Sequence, residues 1–364
     1  MAVTQIPNEL IEFGVKTFAT NSIMLGDTTT GTISGANNNT GFGIDVFEAL
    51  TTGQSNVAIG LDSLTALTTG NYNTGVGRLT LSSVTTNSNN TAVGGVALQN
   101  NTGSDNTAVG SSALTANTSA SNNTAVGSSA LLSNTVGNSN VALGYQAMNT
   151  NVQGDRAVAV GYQALYTQNP SSANEDTFNT AVGFSSMALT TTGTNNTAVG
   201  AKSLESNTTG SRSTAVGQSS LLTATTAIEN TAVGNQALTG VTTGSQNTGI
   251  GHASLYELTT GSYNTAIGSN SLQNTTTADN NTGLGYFALQ ANTTGTKNTA
   301  VGMNAGRNIT TGNNNTVMGK DAGRSLTTGN QNTVIGQQAY DDGTGTGNTV
   351  MGYQSAFNQT SGNN

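Results

Sequence analysis

The chain of 364 residues is 7% charged and 5% aromatic, with 47 Gly, 2 Pro, no Trp, no Cys and a formal net charge of -8. This excludes a globule built on one large apolar core, which carries about 25% charged residues, and simple disorder, which is rich in charge and Pro. It also leaves no basic surface for nucleic acid, no thiol for a disulfide or a thiolate zinc site, and no apolar run of about 18 residues to cross a membrane as a helix.

Residues 1–21 come first and stand apart. They carry Glu9, Glu12, Lys16 and the apolar set Leu10, Ile11, Phe13, Val15 and Phe18. They lack the basic start and apolar run of an export signal. We expect this segment to cap the repeat that follows, or to dock it to a larger assembly.

From residue 22 to 352 one glycine recurs, from Gly26 through Gly43, Gly60, Gly77 and onward to Gly352, mostly every 17 residues. A period of that length is the mark of a solenoid. One coil is Asn106-Thr107-Ala108-Val109-Gly110 and the residues up to Asn122, counted here as coil positions 1 to 17. The fold expected is all-β, a parallel β-solenoid or β-roll of about 20 coils.

Within each coil, alternation puts Thr107 and Val109 on one face of a strand and Ala108 on the other. Thr is replaced by Val at Val57, Val141 and Val158, so the Thr/Val face is expected to point inward. The Ala column (Ala92, Ala108, Ala125, Ala142) is then expected outside, as a flat face for another chain. A second short strand is expected at Ala113-Leu114, whose apolar column runs from Phe47 and Leu64 to Leu289. The Thr-Thr-Gly and Val-Gly steps should be corners using positive φ.

Stacking also accounts for the missing charge. A residue lies about 4.8 Å from its equivalent in the next coil. A recurrent charge would build a repulsive ladder of about 1 kcal/mol per step even in water. Asn and Thr instead hydrogen-bond along a stack.

The repeat is interrupted at about residues 166–178, where Asn169-Pro170 and the pair Glu175-Asp176 suggest an outward loop. From about residue 303 the coils vary. The Leu column becomes Gly306, Gly323, Tyr340 and Ala356, while the Ala column becomes Val317, Val334 and Val350. Large-to-small beside small-to-large implies that the two columns touch. Residues 353–364 form a tail.

The strands Asn56-Val57-Ala58-Ile59-Gly60 and Asn140-Val141-Ala142-Leu143-Gly144 resemble the head repeats of YadA-like trimeric autotransporter adhesins. The resemblance implies a left-handed β-roll packed as a homotrimer in an adhesive or structural fibre. There is no heptad stalk and no membrane-barrel segment, so an autotransporter life cycle is not expected. The Asn-Thr-Ala-Val-Gly repeats also look like those of phage tail and capsid fibres. The function expected is a non-enzymatic structural fibre of a virion. Residues 1–21 would join other virion proteins, and the C-terminal end would meet a host receptor, a glycan or another fibre protein. A bacterial surface adhesin or extracellular filament subunit is the alternative. An ice-binding solenoid is less favoured, because Thr107 and its equivalents are expected inside.

No catalytic, cofactor or metal site is expected. His252 is the only His, which leaves no His-based relay within one chain. Asp341-Asp342 and Glu175-Asp176 are adjacent pairs whose side chains diverge, unsuited to paired acid–base work. The Gly343–Gly347 stretch precedes a strand rather than a helix and does not match a phosphate loop. Tyr145, Tyr162, Tyr286 and Tyr353 could stack on sugars if exposed, with Tyr145 and Tyr162 neighbours one coil apart; edge packing at a corner is the simpler reading.

Overall fold

The computed structural model describes residues 14–17, 21–26, 33–172, 175–341 and 344–356. Among them there is no helix. The regular structure is short strands, mostly of three residues. The chain divides into two compact units, Met1–Asp176 and Thr177–Asn364, and the division falls inside the predicted interruption.

In the first unit nine repeat strands, from Ile23–Gly26 to Val158–Val160, pair in parallel, each with its neighbour in the sequence. The second unit holds eleven, from Thr180–Val182 to Thr349–Met351. Register is one repeat: Thr107 faces Thr124, Ala108 faces Ala125 and Val109 faces Val126. The parallel β-solenoid with a period of about 17 residues is therefore as expected.

The facing of the strand is the reverse of expectation. Ala108 and its equivalents are fully buried, whereas Thr107 is half-buried and Val109 is 36% exposed. Thr-to-Val exchange keeps the β-branched shape that fits a pleated, half-buried surface, so it does not report full burial. The decisive signal is size. A Cβ added to Gly75 in the Ala column would lie 2.6 Å from Ser63 Oγ and 2.9 Å from Thr80 Oγ1. Where Ser63 and Thr80 occupy the lumen there is no room even for Ala at Gly75, so the Ala column is the core and cannot be the outer face for another chain.

No second strand forms at Ala113-Leu114. These residues lie in a turn, with φ of 59° at Ser112 and 51° at Leu114. Left-handed backbone costs a non-glycine residue about 1–2 kcal/mol. Burying the leucine in the lumen returns about 2–3 kcal/mol, and Leu114 is wholly buried.

The two kinds of corner glycine also differ. Gly110 has φ 139°, as expected for the Val-Gly step. Gly53, of a Thr-Thr-Gly step, is needed for close approach instead: a Cβ there would meet Gly70 O at 2.5 Å.

The variant coils behave as the compensation argument requires. A Cβ on Gly323 would come 3.3 Å from Val317 Cγ1, so the two columns do meet. Both Val317 and Val334 are fully buried.

The interruption is more tightly held than an outward loop. Pro170 is buried and packs against Gly154, where an added Cβ would lie 2.9 Å from Pro170 Cδ. Gly154–Asp155 and Glu175–Asp176 pair as a two-residue parallel bridge. Pro170 can pack there because it needs no N–H; its carbonyl accepts a hydrogen bond from Gln153 Nε2 at 2.8 Å.

At the N-terminal end Gly14–Thr17 pairs antiparallel with Ile23–Gly26, covering the edge of the first coil. Residues 1–13, 18–20 and 357–364, which hold the rest of the predicted docking segment and most of the predicted tail, lie outside the described residues.

Candidate functional site

Three repeating features could carry function. The first is the buried Asn column at coil position 1. Asn56 Oδ1 accepts the backbone N–H of Asn73 at 2.8 Å, and Asn56 Nδ2 donates to Asn39 Oδ1 at 3.0 Å and to Gly70 O at 3.0 Å. The amide thus joins neighbouring coils and closes its own. A second Asn column, at position 12, begins with Asn101. Asn117 Nδ2 donates to Asn101 Oδ1, and Asn134 Nδ2 to Asn117 Oδ1. Where the column turns apolar one coil on, at Ala224 and Ile309, the buried Oδ1 atoms of Asn207 and Asn292 have no partner. These columns hold the fold together and face no solvent.

The second feature is the outer strand face. Coil position 4 is apolar in every repeat strand, from Leu25 and Phe42 to Ile335 and Met351. It is half-buried or exposed throughout. Position 2 beside it is Thr, Val or Ile and never charged. The outward Thr column removes the objection to an ice-binding array, but its partner column is apolar and not a second row of Thr.

The third is the corner column at position 6. Tyr145 and Tyr162 stack there, 5.4 Å between centroids and 20° between planes, and are 47% and 43% exposed. They are neighbours one coil apart, as the spacing requires. Tyr286 instead tilts against Phe287 at 4.0 Å, with the Arg307 guanidinium 4.6 Å from the Phe287 ring. Tyr353 is the most exposed of the four.

The remaining sequence candidates do not converge. His252 is exposed on the same corner column. Asp341 is buried and pairs with Arg324 at 3.2 Å. Asp176 pairs with Arg156. Asp342 and Gly343 lie outside the described residues; Gly345 N–H donates to Tyr340 Oη at 2.9 Å. Among the described residues no three His, Cys, Asp or Glu side chains gather as a metal site would require, and no helix is long and apolar enough to cross a membrane.

Two structural devices escaped the sequence reading. Tyr340 is not merely a substitution in the Leu column: it is fully buried and its hydroxyl accepts from Gly345 N–H and Asn348 Nδ2, giving the narrow lumen a polar-tipped plug. Coil position 16 forms a directional ladder. The side chain of each coil accepts the backbone N–H of the coil before, as Asn71 Oδ1 does from Gln54, Ser88 Oγ from Asn71, and Ser121 Oγ from Ser104. The signal was present, since position 16 is a small or polar acceptor in nearly every coil, with Ile228 the exception.

Comparison with protein-family models, with curated proteins and with solved structures finds no match.

Proposed function

We propose that the chain is a non-enzymatic structural fibre protein of a virion, assembled as a homotrimer through the outer strand face. The observation that carries this reading is the unbroken apolar column at position 4. Monomeric soluble proteins rarely leave apolar patches beyond a few hundred Å² exposed, and this column repeats in all the coils of each unit without a charge. Covering the exposed part of one Val per coil is worth about 1 kcal/mol. Summed over many coils, that is enough to hold identical chains in register. Because equivalent coils carry equivalent residues, a second and third copy are the natural partners. A Thr column paired with an apolar column favours protein over ice as the occupant of this face.

Residues 1–21 then serve as the junction with other virion proteins. Immunogold labelling with antibodies to the chain should decorate fibres on particles. Labelling confined to cell surfaces would favour the adhesin reading instead. Analytical ultracentrifugation of the purified chain should give a trimer, and a stable monomer at nanomolar concentration would remove the assembly part of the proposal.

A further inference from the structure

Coil position 6 in the first unit changes character along its length. Between Arg78 and Tyr145 its members shrink to Gly95, Ser111 and Ser128. The coils that carry them are in parallel register, from Thr74–Val76 to Val141–Leu143. Four inter-strand steps separate the two ends by about 19 Å. The floor between them is open: a Cβ built on Gly95 meets nothing within 4 Å, and Ser111 and Ser128 are exposed.

Each end carries a group suited to recognition. Tyr145 stacks on Tyr162 through one face. On the other side of Tyr145, one coil back in the same column, stands Ser128, whose side chain is too short to cover a phenol ring. At the far end Arg78 is exposed. Of the five arginines, the other four are engaged: Arg156 with Asp176, Arg212 with Glu229, Arg324 with Asp341, and Arg307 with Gln290 and Phe287. Arg78 is the one arginine among the described residues whose side chain makes no ion pair, hydrogen bond or ring contact. Asp62, in the preceding coil, forms no ion pair with it.

We propose that this notch binds a short acidic oligosaccharide, one sugar ring stacked on Tyr145 and a sugar carboxylate on Arg78. The C–H face of a pyranose suits an exposed aromatic face. The serine hydroxyls suit the hydroxyls of the intervening sugars. A guanidinium takes a carboxylate in bidentate fashion. An apolar peptide finds no apolar floor here. The acidic balance of the chain acts weakly beyond the screening length of about 8 Å, so the local cation sets the preference at its end. The site stands whether or not the chain belongs to a virion.

The test is calorimetric titration of the full chain with a polyuronate tetrasaccharide and a neutral glucan tetrasaccharide. Three variants join the wild type: Tyr145→Ala, Arg78→Gln and Ser128→Tyr. The last fills the notch with a residue that the same column already holds at Tyr145 and Tyr162, so the fold is kept, and thermal unfolding verifies this. Wild type should bind the uronate saturably. Tyr145→Ala and Ser128→Tyr should each weaken binding at least about tenfold, a loss of about 1.4 kcal/mol. Arg78→Gln should abolish the preference for uronate over glucan. Absence of saturable uronate binding by the wild type, equal affinity in all variants, or no uronate preference to begin with would each overturn the proposal.

Discussion

Asn123 Nδ2 donates to the carbonyl of Gly137, 2.9 Å away and 14 residues further along the same coil, while Asn123 Oδ1 accepts the N–H of Asn140 in the next coil at 2.9 Å. With the further bond from Asn123 Nδ2 to Asn106 Oδ1 in the coil before, at 3.3 Å, one neutral amide closes a coil and bonds the stack in both directions. A carboxylate could not do so, because it has no donor for Gly137.

Asn123→Ala should therefore lower stability by about 2 kcal/mol, since it strands a buried N–H and a buried carbonyl. Asn123→Asp should cost more, because the charge is buried facing a carbonyl oxygen. Asn123→Ser should be the mildest. Ser213 already occupies this column and accepts the N–H of Asn230 at 3.3 Å. Urea unfolding followed by circular dichroism should rank the three as Ser, Ala, Asp.

The contact between Gly323 and Val317 should appear as coupling. Gly323→Leu alone overpacks the lumen, and Val317→Ala alone leaves a void, each at about 1–3 kcal/mol. The double variant restores the arrangement of the other coils. It should be more stable than the sum of the single effects by about 1 kcal/mol or more. Additive losses would mean that the two columns do not share space.

Inward and outward strand positions should respond oppositely to substitution. Ala215→Val, with Leu221 retained, should destabilise by about 1–3 kcal/mol through overpacking. Val216→Lys should change the stability of the isolated chain by no more than about 0.5 kcal/mol, yet should weaken self-association measured by sedimentation. An intact assembly carrying Lys at position 216 would place the interface elsewhere.

Ile228 interrupts the position 16 ladder and leaves the N–H of Ser211 without the acceptor that its equivalents have. Ile228→Ser should supply it and raise stability by about 0.5–1 kcal/mol, read as a higher urea midpoint at unchanged slope.

The stacking architecture was legible because repetition carries it. A fixed 17-residue spacing leaves parallel in-register pairing as the arrangement that brings Thr107 beside Thr124. The compensation between Gly323 and Val317 was legible for the same reason, since a column is a list of volumes. Facing was not. Over a three-residue strand, alternation states that Ala108 differs from its neighbours but not which side is the inside. The β-branched exchange at Val141 was then given the wrong meaning. The turn at Leu114 was hidden because left-handed backbone is unexpected for leucine, and here burial in the lumen outweighs its cost. That Tyr145 and Tyr162 are neighbours one coil apart followed from spacing alone; that their rings stack did not. Arg78 was missed because its significance lies in the pairing of every other arginine, which only coordinates reveal.

The position 16 ladder has a direction, and with it a consequence in time. Each N–H in the ladder is satisfied by a side chain that has not yet been made when its own coil is complete. Backbone partners lie either within three residues or about one repeat away along the chain, as Leu67 N–H does with Leu64 O and Leu64 N–H with Thr80 O, so no coil waits for a distant segment before it can settle. A nascent chain can therefore wind itself up as it leaves the ribosome, the antiparallel strand Gly14–Thr17 closing the starting edge. Each finished coil becomes the template for the next, and synthesis stopped after several whole coils should leave behind a shorter folded object.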